Sequence, residues 1–374
     1  MGRENDLGGR TIVIGAGIVG ASIAYHLAHR GADVTVVDRI GAAAGATGKS
    51  FAWINAHHFK SETYHRLRYQ SLAEYHRLDR ELDGKLGLSW CGALSFDAVG
   101  EAFDRRVEGF QQLGYPAEVI THNRFNKLEP HYGHAPGRAL HLSLEAAFDP
   151  TKACRKLLDA AASHGAQALY GPDVTALRMS GGRVTGADTN SGPIDAARVI
   201  VAAGVGAKAL LKSVDVDLPM NNRPGVMLHS KPVPKVLNHV IWGDRIHLKQ
   251  QEDGRLVIGE VFSEGRDDLD AAAIAEMMLA DARRHLPDID FEIERTTIGL
   301  RPIPLDGMPV VGMVDGVDGL YVAVMHSGVT LAPIVGRMAA DELLNGVRFE
   351  TLAPYRLSRF QDAPRTAASA GSAT

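Results

Sequence analysis

The sequence predicts α/β plus α+β architecture, with a Rossmann-like dinucleotide-binding domain interleaved with a domain built on a mixed sheet. Three observations predict it. Residues 11–38, TIVIGAGIVGASIAYHLAHRGADVTVVD, follow the order strand, glycine-rich turn, helix, strand. A second strand–turn–helix pattern occupies residues 319–344. Between them, from Pro224 to about Gly259, apolar and polar residues alternate with the period of two that a half-buried strand requires.

The first element, Thr11–Ile14, is short, apolar and β-branched, as suits a parallel strand covered on both faces. Gly15, Gly17 and Gly20 follow as G-x-G-x-x-G. In that motif the first glycine permits the tight turn and the second lets a pyrophosphate approach the backbone. The third lets the helix pack closely on the strand. The helix is expected over Ile18–His29, with Val19, Ile23 and Leu27 on one face. Its N-terminus offers N–H groups and a favourable dipole to phosphate. Asp33–Val37 is the second strand, and Asp38 closes it where an acid accepts from adenosine ribose hydroxyls. An acid there disfavours the 2′-phosphate of NADP and leaves FAD and NAD undistinguished.

At 374 residues the chain is large for one core, so two intertwined domains are expected. Its 45% hydrophobic and 22% charged residues suit a soluble globular enzyme. A net charge of −4 gives no bulk attraction for nucleic acid. Cys91 and Cys154 are too few for a disulfide framework, and a reducing cytoplasmic compartment is the expected setting. No stretch reaches transmembrane length, and the acids and glycines near the N-terminus do not read as a signal peptide.

After Asp38, Gly48-Lys49-Ser50 is similar to a phosphate-binding P-loop, but that pattern requires glycine where Ala43 stands. Thr47, Lys49 and Ser50 are instead expected along the dinucleotide's pyrophosphate. Residues 61–83 read as a surface helix carrying Leu67, Leu72, Tyr75 and Leu78 at helical intervals. Gly84–Leu94 reads as a turn entering a strand. Asp149 caps and Pro150 begins a helix that Gly165 stops. Gln167–Ala187 is strand-rich with a Gly181-Gly182 hairpin turn, and Ala197–Gly204 contains another buried strand. Asp270–Leu286 is a helix. Gly319–Met325 is a strand whose turn at His326–Gly328 leads into a helix from near Thr330 to Leu344. His131 and His134 lack further ligands, so no metal site is expected.

The specific signature lies late in the chain: Gly299-Leu300-Arg301-Pro302, Asp306-Gly307, Pro309, Gly312, Gly319-Leu320-Tyr321, His326, Gly328, Ala332, Pro333 and Gly336. With AFDPTKACRKLLDAAASHGA and ARVIVAAG, it resembles the D-amino-acid oxidase-like FAD oxidoreductases over residues 10–350. That family includes glycine oxidase, monomeric sarcosine oxidase and the D-amino-acid dehydrogenases. The resemblance implies FAD as cofactor. Noncovalent binding is expected, because sarcosine-oxidase relatives attach flavin through a cysteine in the C-terminal third and no Cys follows Cys154. It assigns residues 8–88, 146–222 and 297–350 to the FAD-binding domain, 89–145 and 223–296 to the substrate-binding domain, and 363–374 to a disordered tail. The expected cofactor contacts are Gly15, Gly17, Ile18, Val19, Gly20, Asp38, Arg39, Thr47, Lys49, Ser50, Val174, Ala203, Gly204, His326, Ser327, Gly328, Val329 and Thr330. The turn at His326–Thr330 would aim a helix N-terminus at the pyrimidine edge of the flavin, where reduction places negative charge.

Arg301 stands where the family's amino-acid oxidases pair with the substrate carboxylate, a task suited to a planar guanidinium. His247 stands near the position where glycine-oxidase-like members carry a tyrosine. If that strand alternates, Arg245, His247 and Lys249 share a face, and a cationic pocket would suit a dicarboxylate or a bulkier polar acid. His57 and His58 follow the cofactor loop, where His57 can serve as proton acceptor or assist oxygen. The expected reaction is FAD-dependent oxidation of a small carboxylate-bearing amine, an amino acid or N-substituted amino acid. Hydride passes from the α-carbon to flavin N5 and an imine results. Oxygen, a quinone or another electron carrier is the acceptor. A 2-hydroxy-acid dehydrogenase on the same fold, with His57 or His247 as base, is the alternative. Flavin-dependent tRNA modification is a remote one, disfavoured by the lack of a basic surface run.

Overall fold

The strand Thr11–Ile14 lies inside a six-stranded sheet ordered 310–313, 320–324, 198–201, 11–14, 34–38, 167–170. A computed structural model describes residues 9–57, 61–260 and 270–360. His58 and the tail expected to be disordered, 363–374, lie outside the described residues. Neighbours in this sheet run parallel, except that 310–313 is antiparallel to 320–324. Ile12 pairs with both Val199 and Thr35, so the first strand is flanked on each side and all four of its residues are buried.

One face carries the helices Ile18–Ala28, Pro150–Ser163 and Gly328–Asn345. Their apolar residues form one core with the sheet and with the helix Glu62–Glu81. Helices Ile18–Ala28 and Gly328–Asn345 approach closely because Gly336 has no side chain. A Cβ there would overlap the Ser22 hydroxyl and crowd His26. The other face is covered by an antiparallel meander, Val174–Ser180, Arg183–Thr189 and Gly192–Asp195. Its first turn is the anticipated Gly181-Gly182 pair, with φ of +56° and +80°, values that favour glycine.

The second sheet has eight strands, ordered 293–304, 220–232, 255–260, 246–250, 240–242, 93–95, 138–142, 118–121. Only 240–242 and 93–95 pair in parallel. Leu228, Leu248, Leu256 and Ile258 point to one face, where the helix Ala271–His285 covers them. The opposite face turns toward the dinucleotide-type sheet, so the two domains share a seam. The strand 293–304 runs through the domain boundary expected at 297.

Local capping chemistry explains several helix ends. Asp149 accepts from Thr151 N and Lys152 N at 2.9 and 3.1 Å, with Pro150 in the first turn. Asp270 caps Ala271–His285 through Ala273 N. Ser61 caps Glu62–Glu81 through Tyr64 N, and Leu67, Leu72, Tyr75 and Leu78 are its buried stripe.

Candidate cofactor and substrate site

A crevice of about 490 Å³ opens at the carboxyl ends of Thr11–Ile14, Val34–Asp38, Arg198–Val201 and Leu320–Val324. Glycine shapes its floor. Gly15 has φ +110°, and a Cβ there would lie 2.5 Å from the Ala202 carbonyl oxygen. Beside Gly17, Thr47 Oγ1 accepts from Ile18 N at 3.0 Å, so a loop hydroxyl takes the first amide of the helix. Asp38 Oδ2 accepts from Ala16 N, and its Oδ1 accepts from Ile40 N and Gly41 N, each at 2.9 Å. The loop after Asp38 is wound against the glycine turn. Ala43 N donates to Ala16 O and Gly48 N donates to Ala43 O, both at 2.9 Å, while Ala43 itself holds φ +60°.

Of the expected cofactor contacts, Gly15, Gly17, Ile18, Val19, Asp38, Arg39, Thr47, Ser50, Val174, Ala203, Gly204, His326, Gly328 and Val329 line this crevice. Gly20, Lys49, Ser327 and Thr330 are not among the residues that line it. Gly20 marks the place where helix and strand touch, since a Cβ there would overlap the Gly15 carbonyl. The exposed Lys49 lies with its Cβ against Gly299. Ser327 precedes the helix Gly328–Asn345, and Thr330 is buried with Oγ1 donating to Trp53 O at 3.3 Å.

The start of that last helix is braced from outside. Pro333 has no N–H, so the Val329 carbonyl loses its intrahelical donor. The Tyr75 hydroxyl donates to Val329 O instead, and Ser71 Oγ donates to Thr330 O at 2.6 Å.

Next to the crevice wall at Pro302 stands Arg301. Its guanidinium lies across Gly225 on the adjacent strand, where a Cβ would come within 2.5 Å of Cζ. Nη1 donates to Pro224 O at 3.2 Å and Nη2 to Glu260 at 3.3 Å. Burial lowers its pKa, an effect that Glu260 offsets, and a guanidinium stays charged regardless. Cross-strand pairing puts Thr297, Met227, Gly259, His247 and Trp242 in one row on the same face. Phe51 from the cofactor loop and the Met227 side chain both lie over Gly259.

His247 sits among Phe51, Trp53 and Trp242, with ring centroids 5.5–5.7 Å away. The cationic face expected around it does not form. Arg245 precedes the strand and pairs with Asp281 on the helix Ala271–His285 at 2.6 Å. Lys249 is buried, donates to Ala52 O at 3.1 Å and Phe148 O at 2.8 Å, and is pushed down to about 7 by burial. His57 is buried against Trp53 and Trp242, each ring centroid 4.5 Å away. Its Nδ1 lies 2.5 Å from Glu145 Oε1. Burial first, then the charges of Arg68 and Arg106, hold the His57 pKa well below its usual range. A ring of lowered pKa is a weaker base than a free imidazole. Glu145 carries no sequence signal of its own, because its partners His57 and Tyr115 come from distant segments.

Among the described residues no group of His, Cys, Asp and Glu could hold a metal, and no helix is long and apolar enough to cross a membrane. A dinucleotide fits the crevice: the glycines clear its floor, two helices start at its edge, and Asp38 ends the second strand beside it. These features, at the carboxyl ends of parallel strands, define a dinucleotide-dependent enzyme. Residues 10–342 match the family model described as FAD dependent oxidoreductase, and the chain belongs to that family. It is an FAD-dependent oxidoreductase. Glycine oxidase from Bacillus licheniformis is 30% identical, over 93% of this chain and 97% of that protein. The structure of glycine oxidase from Geobacillus kaustophilus superposes with a TM-score of 0.85 at 25% identity, covering 94% of this chain and 99% of the other. Iminodiacetate oxidase from Chelativorans sp. BNC1 gives 0.82 at 25% identity, covering 93% and 98%.

Proposed function

We propose that the chain oxidises a small carboxylate-bearing amine, an amino acid or N-substituted amino acid, in the cytoplasm. The observation that carries this reading is Arg301, a half-buried guanidinium laid over Gly225 beside the crevice wall. A bidentate contact from Arg301 fixes the substrate carboxylate and thereby orients the α-carbon. Bound FAD, held without a covalent link, supplies the hydride acceptor, and the amine leaves as an imine that water hydrolyses. Asp38 is assigned to the adenosine ribose, the turn Gly15–Gly20 to the pyrophosphate, and the helix starting at Gly328 to the flavin's pyrimidine edge. The similarity to glycine oxidase and to iminodiacetate oxidase supports an amine bearing one or two carboxylates. Oxygen, a quinone or another electron carrier reoxidises the flavin.

The test is anaerobic bleaching of the flavin by D- and L-amino acids, N-substituted glycines and 2-hydroxy acids. Bleaching by one amine class is expected, and Arg301→Ala should slow it on the order of a hundredfold at the same subsaturating substrate concentration. Bleaching by hydroxy acids alone would replace this reading with 2-hydroxy-acid oxidation. Admitting oxygen then separates oxidase from dehydrogenase.

A further inference from the structure

Behind the aromatic end of the substrate face lies a hydrogen-bonded chain that the oxidation chemistry itself does not require. Glu145 Oε1 receives the Tyr115 hydroxyl at 3.0 Å and lies 2.5 Å from His57 Nδ1. All three residues are buried. They come from separate segments: Tyr115 follows the helix Glu101–Leu113, Glu145 precedes the short strand Ala146–Ala147, and His57 follows its partner strand Trp53–Ile54. One carboxyl group therefore ties the cofactor loop to the substrate domain.

What this chain immobilises is specific. The His57 ring touches both Trp53 and Trp242 at 4.5 Å. On Trp242 also lies the Arg106 guanidinium, 5.0 Å from the ring, itself paired with Asp97. Trp242 is the cross-strand partner of His247 in the row that leads back toward Arg301. From Met227 to His247 is two strand spacings, about 10 Å, and Gly225 lies two residues further along the same strand as Met227. A substrate anchored at Arg301 by its carboxylate would extend its substituent along that row and meet the aromatic wall.

We propose that Glu145 and Tyr115 are positioning residues that lock His57, and through it Trp53 and Trp242, into a rigid wall selecting an apolar substituent on the substrate. The proposal rests on the reading of Arg301 as the carboxylate anchor and adds the opposite end of the site. The charged groups facing His57 are Arg68 from Glu62–Glu81, Arg106 from Glu101–Leu113 and Asp97, beside the titratable Glu145, whose carboxyl burial pushes well above the usual range. Burial and the two arginines oppose an imidazolium, so the ring serves as a wall and hydrogen-bonding partner.

The test uses the FAD-loaded enzyme with Tyr115→Phe and Glu145→Gln, so that one variant remains if the other does not fold. Nitrogen-15 NMR of the histidine rings should show His57 in a single tautomer, titrating below an ordinary histidine. Each variant should shift that resonance, alter the indole bands in near-ultraviolet circular dichroism, and change the kcat/KM ratio of leucine to glycine about fivefold or more. FAD content should stay constant. A native His57 that titrates near its ordinary value would overturn the proposal. So would variants that lose only thermal stability while the indole bands and the substrate ratio stay fixed. If no amine is oxidised, the oxidation reading fails; the NMR and dichroism arms still decide whether the lock exists.

Discussion

Arg301 and Gly225 act as a pair, because the guanidinium occupies the space that any side chain at 225 would fill. A charged bidentate contact contributes about 3 kcal/mol, so Arg301→Ala is expected to lower kcat/KM on the order of a hundredfold. Arg301→Lys should recover little, since an ammonium cannot reproduce the fork. Gly225→Ala keeps the arginine and displaces it. Steady-state kinetics should show KM raised roughly tenfold, with Tm nearly unchanged because the obstacle is the end of a flexible side chain. An unchanged KM in Gly225→Ala would argue that the carboxylate binds elsewhere. Arg301 was legible in the sequence because its neighbours Gly299, Leu300 and Pro302 carry a family signature. Glu145 was not: it stands between Leu144 and Ala146 in an otherwise bland stretch, and its two partners come from other segments.

Among the elements, the start of the helix Gly328–Asn345 depends on a donor from another helix. Tyr75→Phe would leave the Val329 carbonyl buried without its hydroxyl partner, at a cost of about 1–3 kcal/mol measured by urea unfolding. The FAD dissociation constant should weaken with it, because Val329 lines the crevice. The strand 246–250 contributes a different dependence. Lys249 titrates at about 7 in the folded protein, below the unfolded lysine value near 10.4. Between those limits the unfolded chain binds the extra proton, so this residue makes stability rise with pH across that window, by at most about 1.4 kcal/mol per unit. Below pH 7 it is charged in both states and contributes no slope. In Lys249→Met, unfolding followed from pH 7 to 10 should lack that rise relative to wild type. Elements with local chemistry were readable in advance, as at Asp149-Pro150 and Gly181-Gly182. The strand 293–304 was hidden, since its Pro302, Pro304 and Gly299 look like loop residues. An edge position tolerates them, because one side of the strand makes no ladder.

For the whole molecule, the seam between the two sheets carries Lys249, His57 and Glu145, so the domains should not melt independently. Trp242 reports on the substrate sheet, and flavin absorbance reports on the crevice. Thermal unfolding followed by both signals should give one shared transition. FAD at a hundred times its Kd should add about 2.7 kcal/mol to both. Two separated transitions would show that the seam couples the domains weakly. The broad architecture was legible because glycine spacing and β-branched runs are local signals. The packing at the seam was not, since it depends on which of many distant buried groups meet, as when Arg245 reaches Asp281 on the far face instead of the pocket.

The strand order of the six-stranded sheet also sets a timetable for synthesis. Thr11–Ile14 leaves the ribosome first, yet its neighbour Arg198–Val201 and the next strand, Leu320–Val324, come much later. At about 5–20 residues per second, roughly 300 residues of further translation take about 15–60 s. Until Arg198–Val201 emerges, the fully buried strand Thr11–Ile14 has only Val34–Asp38 paired beside it. The nascent chain is therefore a natural client for a holding chaperone, and flavin capture must await the last third of the polypeptide.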